Sequence, residues 1–497
     1  MKSIKIFNKI FRILFVFLVL SGCTDLEYQS FDQISPSNFP QTPEDIEAAV
    51  TSIYTPIGDQ FTYYDRSALI NNMICTDELH SAWAGDWWIQ DHFEWTPDFR
   101  AWRPIYDSWI KGMSKATLLL PTLEGSEISD EVKSEYIAEV RALRAWYAFQ
   151  LLDFFGGVPL VTDPEILLDL SAPSVDRATE AEMVSFIETE LVQVISDLPK
   201  NSSDSNWGRV NKGVASTMLL KLYLHQKNWT KVVETANTID GYGDYSLLNY
   251  YPDIHDIDHE SYSSNPEVIW PLSKVALNDL LAQDWFAVCL PQVPRINMPS
   301  GNNNISIWGG LKTPWDFYDK FEEGVDERLT RMIRYYTDVD GNDVDFRALS
   351  NHYKQVGANP MKYSEDPDHN GSLQGNDIII YRYADVLLAK AEALNEINGP
   401  TQEAIDLINQ IRNRAKVAPI AVNDFAGKDQ LRDYILDERG RELWCEGHRR
   451  QDLIRHGKLI SVAHAQGWTA AKDYHILYPI PQSVMDENPG WQQNPGY

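Results

Sequence analysis

The sequence predicts an all-α fold in which antiparallel helix pairs carry irregular loop insertions and a few short β-hairpins. Apolar residues recur at helical spacing through most of the chain, the helical segments follow one another in adjacent pairs, and one central region lacks this periodicity. After a first helix that begins at Pro43, helices are predicted over Pro104–Leu120, Glu131–Phe155, Glu180–Leu198, Lys212–Gln226, Trp229–Asp240, Ile378–Asn398, Thr401–Lys416 and Lys428–Ile454.

Two of the predicted helix pairs carry small residues where their helices can approach closely. These residues are Ala215, Ala236, Ala384, Ala391 and Ala404. A single helix pair cannot bury its own apolar face, so such pairs stack on one another. The pattern resembles tetratricopeptide repeats and predicts a superhelical scaffold.

The region from about Tyr242 to Asp377 is instead rich in Asn, Gly, Pro, Asp and aromatic residues, which is typical of loops. The stretch Asp338-Val-Asp-Gly-Asn-Asp-Val-Asp suggests a calcium loop, but its glycine is at the fourth position and no glutamate is at the twelfth. Because Asp340-Gly341 lies between aromatic and β-branched residues, a β-hairpin turn is the favoured interpretation.

The N-terminus predicts secretion and lipid anchoring. Residues 1–22 combine basic side chains with an apolar run too short to span a bilayer, as in a signal peptide. The run ends in Leu20-Ser21-Gly22-Cys23, so Cys23 is the predicted lipidation site and the start of the mature protein. Lipid chains on Cys23 would provide a stable membrane anchor. The alternative is an ordinary secreted protein whose cysteine is coincidental.

Charge and cysteine content exclude several classes of partner and cofactor. The formal net charge is −29, so nucleic acid, which needs concentrated positive charge on its partner, is excluded as a ligand. Besides Cys23, the cysteines are Cys75, Cys289 and Cys445, which are far apart and show no metal-binding spacing. We therefore expect no metal and no cofactor.

Several motifs follow one another in order along nearly the whole chain. Besides the lipoprotein signal, they are Arg144-Ala-Trp-Tyr-Ala-Phe-Gln-Leu-Leu-Asp-Phe-Phe-Gly-Gly-Val-Pro-Leu160, Arg382-Tyr-Ala-Asp-Val-Leu-Leu-Ala-Lys-Ala-Glu-Ala393, Ile411-Arg-Asn-Arg-Ala415, Glu438-Arg-Gly-Arg-Glu-Leu443, Asp452-Leu-Ile-Arg455, Pro479-Ile-Pro481 and Gln493-Asn-Pro-Gly-Tyr497. Together they resemble the SusD/RagB family of outer-membrane nutrient-binding lipoproteins. Their charged residues are expected to form Arg–carboxylate pairs that lock helix packing, and not a catalytic site. These residues are Arg382, Glu392, Arg412, Arg414, Glu438, Arg439, Glu442 and Arg455.

The resemblance implies a tetratricopeptide-like scaffold whose irregular insertions form the ligand face. It also implies a non-enzymatic protein that sits on a SusC-like TonB-dependent outer-membrane transporter and presents oligosaccharides or, in some members, peptides. The expected organisation is one compact body after the signal peptide, with these regions: 1–22 signal peptide, 23–40 lipidated tether, 41–241 N-terminal helical region, 242–377 loop-rich insertion and 378–497 C-terminal helical region.

Tryptophan provides the candidate glycan site, because sugar rings pack their C–H faces against aromatic rings. Six of the 16 tryptophans fall between positions 83 and 109. Trp102, Tyr106 and Trp109 follow a helical stripe and are expected in the core. Trp83, Trp87 and Trp88 lie in a loop-like segment, where an exposed platform and a core position are equally good interpretations. The remaining candidates are Trp285 and Trp308 in the central loops, with Asp77, Asp86, Arg295 and Asn302 as a polar rim.

Enzyme interpretations find less support. His255 and His259 have a metal-ligand spacing, but Asp replaces the glutamate of zinc proteases and Pro252 indicates a loop. No nucleophile elbow or phosphate loop is present in the sequence. The sequence therefore predicts a cell-surface, lipid-anchored glycan-binding protein of the outer membrane of a Gram-negative, Bacteroidetes-like bacterium. Peptide capture is the main alternative, and a lipid-anchored glycoside hydrolase is the less favoured one.

Overall fold

The computed structural model describes residues 40, 42–58, 68–169, 171–200, 204–277, 281–349 and 356–497. The predicted signal peptide and Cys23 lie outside the described residues. By its contacts the chain divides into a segment Met1–Ala48 and one compact unit Ala49–Tyr497.

Helices account for most of the described residues. In chain order they are α1 Pro43–Thr51, α2 Thr55–Gly58, α3 Ala68–Ile74, α4 Asp86–Asp91, α5 Trp102–Gly125, α6 Asp130–Phe155, α7 Pro164–Leu168, α8 Glu180–Val194, α9 Lys212–His225, α10 Trp229–Tyr242, α11 Trp285–Cys289, α12 Trp315–Tyr318, α13 Tyr383–Asn398, α14 Gln402–Arg414, α15 Lys428–Glu442, α16 Arg449–Arg455, α17 Leu459–Ala465 and α18 Gln482–Glu487. Single 3₁₀ turns cover Ser52–Tyr54, Asp204–Asn206, Tyr251–His255, Ile257–His259, Glu327–Arg331, Phe346–Ala348, Val422–Asp424 and Asp473–Ile476.

The long helices pack as the predicted pairs. Helix α5 packs on α6, α9 on α10, and α13 on α14, and α13 also contacts α10 and α15. Side chains of Asn211, Asn228 and Thr401 accept hydrogen bonds from backbone N–H groups of the first turns of α9, α10 and α14. The five alanines expected at close helix contacts are completely buried. The predicted helical scaffold is therefore confirmed.

Two of the predicted helices differ from the structure in more than the position of an end. Residues Ile378–Arg382 form a strand that pairs with Val268–Leu272, because this β-branched run is buried on both sides. The predicted helix Lys428–Ile454 ends at Glu442 and resumes at Arg449. Between these points Cys445 and Gly447 have positive φ angles of 58° and 78°, which a continuous helix does not allow.

Short strands hold the central loops together. They are β1 His80–Ser81, β2 Val268–Leu272, β3 Leu311–Pro314, β4 Met332–Ile333, β5 Tyr335–Thr337, β6 Asp343–Asp345, β7 Gly357–Pro360 and β8 Ile378–Arg382. Strands β1, β3, β7 and β4 form one sheet in that order, and β2 pairs with β8. Strands β5 and β6 form the predicted hairpin, in which Gly341 has a φ angle of 84°.

A buried set of ion pairs, which we call the ionic frame, locks the C-terminal helices to the central strands. It consists of Glu267, Arg328, Arg382, Arg412, Arg414, Glu438, Glu442 and Glu446. Arg382 lies 2.6 Å from Glu442 and 2.7 Å from Glu267. Burial on its own would raise the pKa of Glu442, but the guanidinium groups of Arg414, Arg382 and Arg328 outweigh it and lower the pKa to about 2.

A neighbouring buried cluster joins Arg439 to Asp385 and Asp452, and Arg455 to Glu392, at distances of 2.7–2.8 Å. All eight charged residues expected to lock helix packing are thus in buried ion pairs, and that prediction is confirmed.

Candidate functional site

The sheet brings together two tryptophan segments that are more than 200 residues apart in the sequence. Strand β1 pairs antiparallel with β3, with His80 opposite Lys312 and Ser81 opposite Leu311. The Ala82 N–H donates a hydrogen bond of 2.7 Å to the Gly310 carbonyl. Trp83 follows β1 and Trp308 precedes β3, so this pairing places both tryptophans beside one cleft.

The cleft has a volume of about 550 Å³ and an aromatic lining. It is lined by Trp83, Ala84, Gly85, Asp86, Trp87, Gln90, Arg100, Ala101, Pro104, Val288 and Trp308. The rings of Trp83 and Trp87 stack with centroids 5.3 Å apart and planes 8° apart. All three tryptophans are half-buried. Their rings are thus held by the protein and still reach the cleft.

Gly310 makes room for this arrangement. A Cβ atom at this position would lie 2.4 Å from two ring atoms of Trp83, closer than any side chain tolerates. The Trp83 ring therefore packs directly against the glycine backbone and supports Trp87 from behind. Gly309, with a φ angle of 63°, turns the chain just before this contact.

The polar groups of the cleft come mainly from α4. Asp86 and Gln90 are one helical turn apart, and with Trp87 they form the face that lines the cleft. Asp86 is ion-paired with the exposed Arg100. The Gln90 side chain is buried, and within the described part of the chain its Oε1 atom has no hydrogen-bond partner. Because a buried polar atom without a partner is unfavourable, Gln90 is suited to a ligand that brings the missing donor.

The structure thus unites four of the predicted site residues, Trp83, Trp87, Trp308 and Asp86. Trp88 is 42% exposed and lies outside the cleft lining. Arg295 donates hydrogen bonds to the carbonyls of Asn303 and Ile305 and so braces its own loop. Asn302 accepts a hydrogen bond from the Asn304 N–H at 3.3 Å. Neither Arg295 nor Asn302 lines the cleft.

Two predicted site residues belong to the interior. Trp285 is only 4% exposed, and its indole N–H donates to the Pro360 carbonyl, so it is not a platform. Asp77 is also buried, 2.7 Å from Arg449 and 2.9 Å from Lys320. Burial favours a raised pKa for Asp77, but these two cations hold it well below its usual range. Asp77 is therefore a structural ion-pair partner, and its assignment to the rim is wrong.

The structure also places the aromatic residues of the helical stripe and the two histidines. Trp102, Tyr106 and Trp109 are buried, as their helical stripe predicts. His255 is buried 3.5 Å from Glu446, whereas His259 is half-exposed near Asp253. The described residues contain no group of three or more His, Cys, Asp or Glu that could hold a metal ion.

Gln90 and Arg100 line the cleft but were not predicted. The signal for Gln90 is its position one helical turn after Asp86, and that spacing becomes visible only once α4 is recognised as a helix.

Paired helices with an aromatic cleft between loop insertions define a helical-repeat protein. Comparison with known proteins gives the family. A profile of the SusD family matches residues 308–497, and a profile described as "Starch-binding associating with outer membrane" matches residues 30–224. The chain belongs to the SusD family, as its motifs predict.

Relatives align with almost the entire chain. The SusD-like protein P25 of Formosa agariphila is 26% identical, over 96% of this chain and 96% of its own. The starch-binding protein SusD of Bacteroides thetaiotaomicron is 24% identical, over 87% of this chain and 85% of its own. Surface glycan-binding protein A of Bacteroides thetaiotaomicron, solved with laminarihexaose, superposes with a TM-score of 0.71, at 22% identity, over 91% of this chain and all of that chain. The last comparison shows a shared fold.

Proposed function

We propose that this protein is a surface-anchored outer-membrane lipoprotein that captures a neutral glycan and passes it to a TonB-dependent transporter. The observation that carries the proposal is the meeting of Trp83, Trp87 and Trp308 in one cleft. These residues come from two distant segments, and the β1–β3 pairing and the space at Gly310 are both needed to bring them together.

The chemistry of the cleft suits a neutral sugar. Flat C–H faces of sugar rings pack against indole rings, which releases water from both surfaces. A sugar hydroxyl both donates and accepts hydrogen bonds, so it can satisfy the buried Gln90 Oε1 atom. The two charged groups in the lining, Asp86 and Arg100, pair with each other, and the net charge of −29 disfavours anionic polymers.

The lining also argues against glycoside hydrolysis. Both common mechanisms of that reaction use two carboxyl groups flanking the bond that breaks. Asp86 is the one carboxylate among the residues that line the cleft, and it is engaged by Arg100. Capture without cleavage is therefore the better match.

Family relationships support both the ligand class and the location. One matching profile is described by starch binding and outer-membrane association, one relative is named for starch binding, and a structural neighbour was solved with laminarihexaose. No helix in the described ranges has the length and apolarity needed to cross a bilayer. Attachment through lipid on Cys23 is the proposed anchor.

The test uses the purified full-length protein with starch, laminarin, xylan and a panel of peptides. We expect retarded migration in gels that contain a neutral polysaccharide and no increase in reducing ends after incubation. New reducing ends would instead support a hydrolase, and binding of peptides alone would support peptide capture. Trp87→Ala is the matched variant that should lose the retardation.

The delivery step has its own test. Affinity purification of the lipidated protein from detergent-solubilised outer membranes is expected to copurify a TonB-dependent transporter. Recovery of the protein alone, under conditions that preserve other outer-membrane complexes, would contradict the proposed partnership.

A further inference from the structure

A second aromatic surface lies on α4 outside the cleft. The Trp88 ring is 42% exposed and stacks on His92, with ring centroids 3.6 Å apart and planes 22° apart. The ring centroids of His92 and Trp468 are 3.8 Å apart, and those of Trp468 and His80 are 5.4 Å apart. We call Trp88, His92 and Trp468 the outer stack.

The base of the outer stack is fixed by contacts from three parts of the chain. His92 Nδ1 lies 2.9 Å from the Trp88 carbonyl, and His80 Nε2 lies 2.9 Å from Gln466 Oε1. The backbone N–H of Trp468 donates to the Ala463 carbonyl at 2.9 Å. These contacts hold the rings beneath Trp88, so its exposed face requires little further ordering when a ligand binds.

The rings beneath Trp88 are uncharged at neutral pH. Burial lowers the pKa of His92 below its ordinary value, and it lowers the pKa of His80 to about 4. The outer stack therefore presents an indole on a neutral aromatic base, which matches an uncharged ligand.

The outer stack and the cleft share one short helix. Trp87 lines the cleft and Trp88 is the next residue, so their side chains leave α4 about 100° apart. Gln90 belongs to the cleft side of the helix, whereas Trp88 and His92, which are one turn apart, lie on the side that faces away from Gln90. Trp87 is thus the residue of the cleft lining that adjoins the outer stack in the sequence.

We propose that the outer stack is a second contact for the same neutral glycan chain, used only when that chain is longer than the cleft. This inference rests on the proposed function. Trp88 is exposed, and its ring is supported from beneath by His92, so the second contact is a single supported ring.

The test compares Trp88→Ala with the wild type over ligands of increasing length. The probes are malto-oligosaccharides and laminari-oligosaccharides from the disaccharide to the hexasaccharide, together with starch and laminarin. We expect Trp88→Ala to bind the disaccharides as the wild type does and to bind the polymer about tenfold more weakly. Trp88→Phe should recover part of the loss.

Two controls separate binding from folding. Tyr250→Ala removes a comparable aromatic ring, 45% exposed and not part of the cleft lining, and should leave every affinity unchanged. Melting temperatures of the Trp88 variants should match that of the wild type.

Each remaining outcome decides the question. Equal polymer affinity for Trp88→Ala and the wild type would overturn the second contact while leaving capture in the cleft intact. An equal loss at all ligand lengths would show that Trp88 acts only through the shape of α4, and this too would overturn it. If the wild type bound neither glucan series, the proposed capture of these glucans and the second contact would both fail.

Discussion

A buried carboxylate in the ionic frame and a buried amide in the cleft have different surroundings. In the frame, Glu442 is buried but receives three guanidinium groups, from Arg328, Arg382 and Arg414. In the cleft, Gln90 is buried to a similar degree and its Oε1 atom has no partner in the described structure. The carboxylate of Glu442 therefore has its partners within the protein. We expect Gln90 Oε1 to gain its partner from a ligand, as the proposed function requires.

The tryptophans divide in the same way. Trp285 and Trp308 come from the same loop-rich region, but Trp285 has its N–H bonded inside the core and Trp308 faces the cleft. A tryptophan in a loop is therefore not evidence of a binding platform until its burial is known.

The largest effect is expected from breaking the frame. Glu442→Gln keeps the shape of the side chain but leaves three buried guanidinium groups short of one negative charge, so we expect a loss of about 3–5 kcal/mol in the free energy of unfolding. Denaturant unfolding measures this loss. The control Arg432→Met breaks a partly exposed pair with Glu396 and should change stability by less than about 1 kcal/mol. Wild-type stability for Glu442→Gln would show that the frame is dispensable.

Alanine substitutions of the core residue Trp285 and the cleft residue Trp87 should have different effects. Trp285→Ala should lower the free energy of unfolding by about 3–5 kcal/mol because it empties a packed site. Trp87→Ala should instead weaken glycan binding by about 1–3 kcal/mol, with little change in melting temperature. Calorimetric titration and thermal melts on both variants check this. Similar melting losses in the two variants would place Trp87 in the core.

Acid should weaken the ionic frame. The pKa of Glu442 is about 2 in the folded protein, below its unfolded value of about 4.3. Its ion pairs therefore stabilise the fold fully above pH of about 4.3, and this contribution of about 3 kcal/mol is lost as the pH falls toward 2. Melting temperatures between pH 6 and pH 2.5 should fall steeply for the wild type and less steeply for Glu442→Gln. Parallel curves for the two proteins would contradict this origin of the acid sensitivity.

Substitution of Gly310 tests whether glycan binding depends on the position of the Trp83 ring. Gly310→Ala places a Cβ atom 2.4 Å from the Trp83 ring, so the ring must move and Trp87 loses its support. We expect glycan affinity to fall about tenfold, as for loss of one stacking ring. Gly125→Ala is the control, because its Cβ would meet no atom within 4 Å. Unchanged affinity in Gly310→Ala would mean that the stacked pair does not contribute to binding.

The smallest effect is expected from Gln90→Met, which should weaken glycan binding without lowering the stability of the free protein. Gln90→Met removes the unpartnered Oε1 atom, so the free protein should be as stable as the wild type or slightly more stable. Glycan binding should weaken by about 1 kcal/mol because a ligand hydroxyl loses its acceptor. Melting curves and binding titrations on the same preparations test both signs. A destabilised variant with intact binding would assign Gln90 to the scaffold.

Sequence periodicity predicted the scaffold well because each helix pair is a local pattern. The helical stripes, the alanines at close contacts and the Asp340-Gly341 turn all act over a few residues, and the structure contains each of them. The strand Ile378–Arg382 was missed because an apolar run next to a helix looks the same in either conformation until its partner, Val268–Leu272, is known.

The site was only half predictable, since its geometry depends on pairings between distant segments. Trp83, Trp87 and Trp308 could be nominated by residue type, but only the β1–β3 ladder shows that they meet. Asp77 could not be separated from Asp86 in the sequence, because the burial of Asp77 depends on Arg449, more than 350 residues away.

The most direct test is a crystal structure of the protein bound to an oligosaccharide of the polymer that retards it in gels. We expect a sugar ring packed against Trp87 and Trp308, with a hydroxyl donating to Gln90 Oε1. An oligosaccharide bound in a different pocket, with the Trp87 and Trp308 rings untouched, would contradict it.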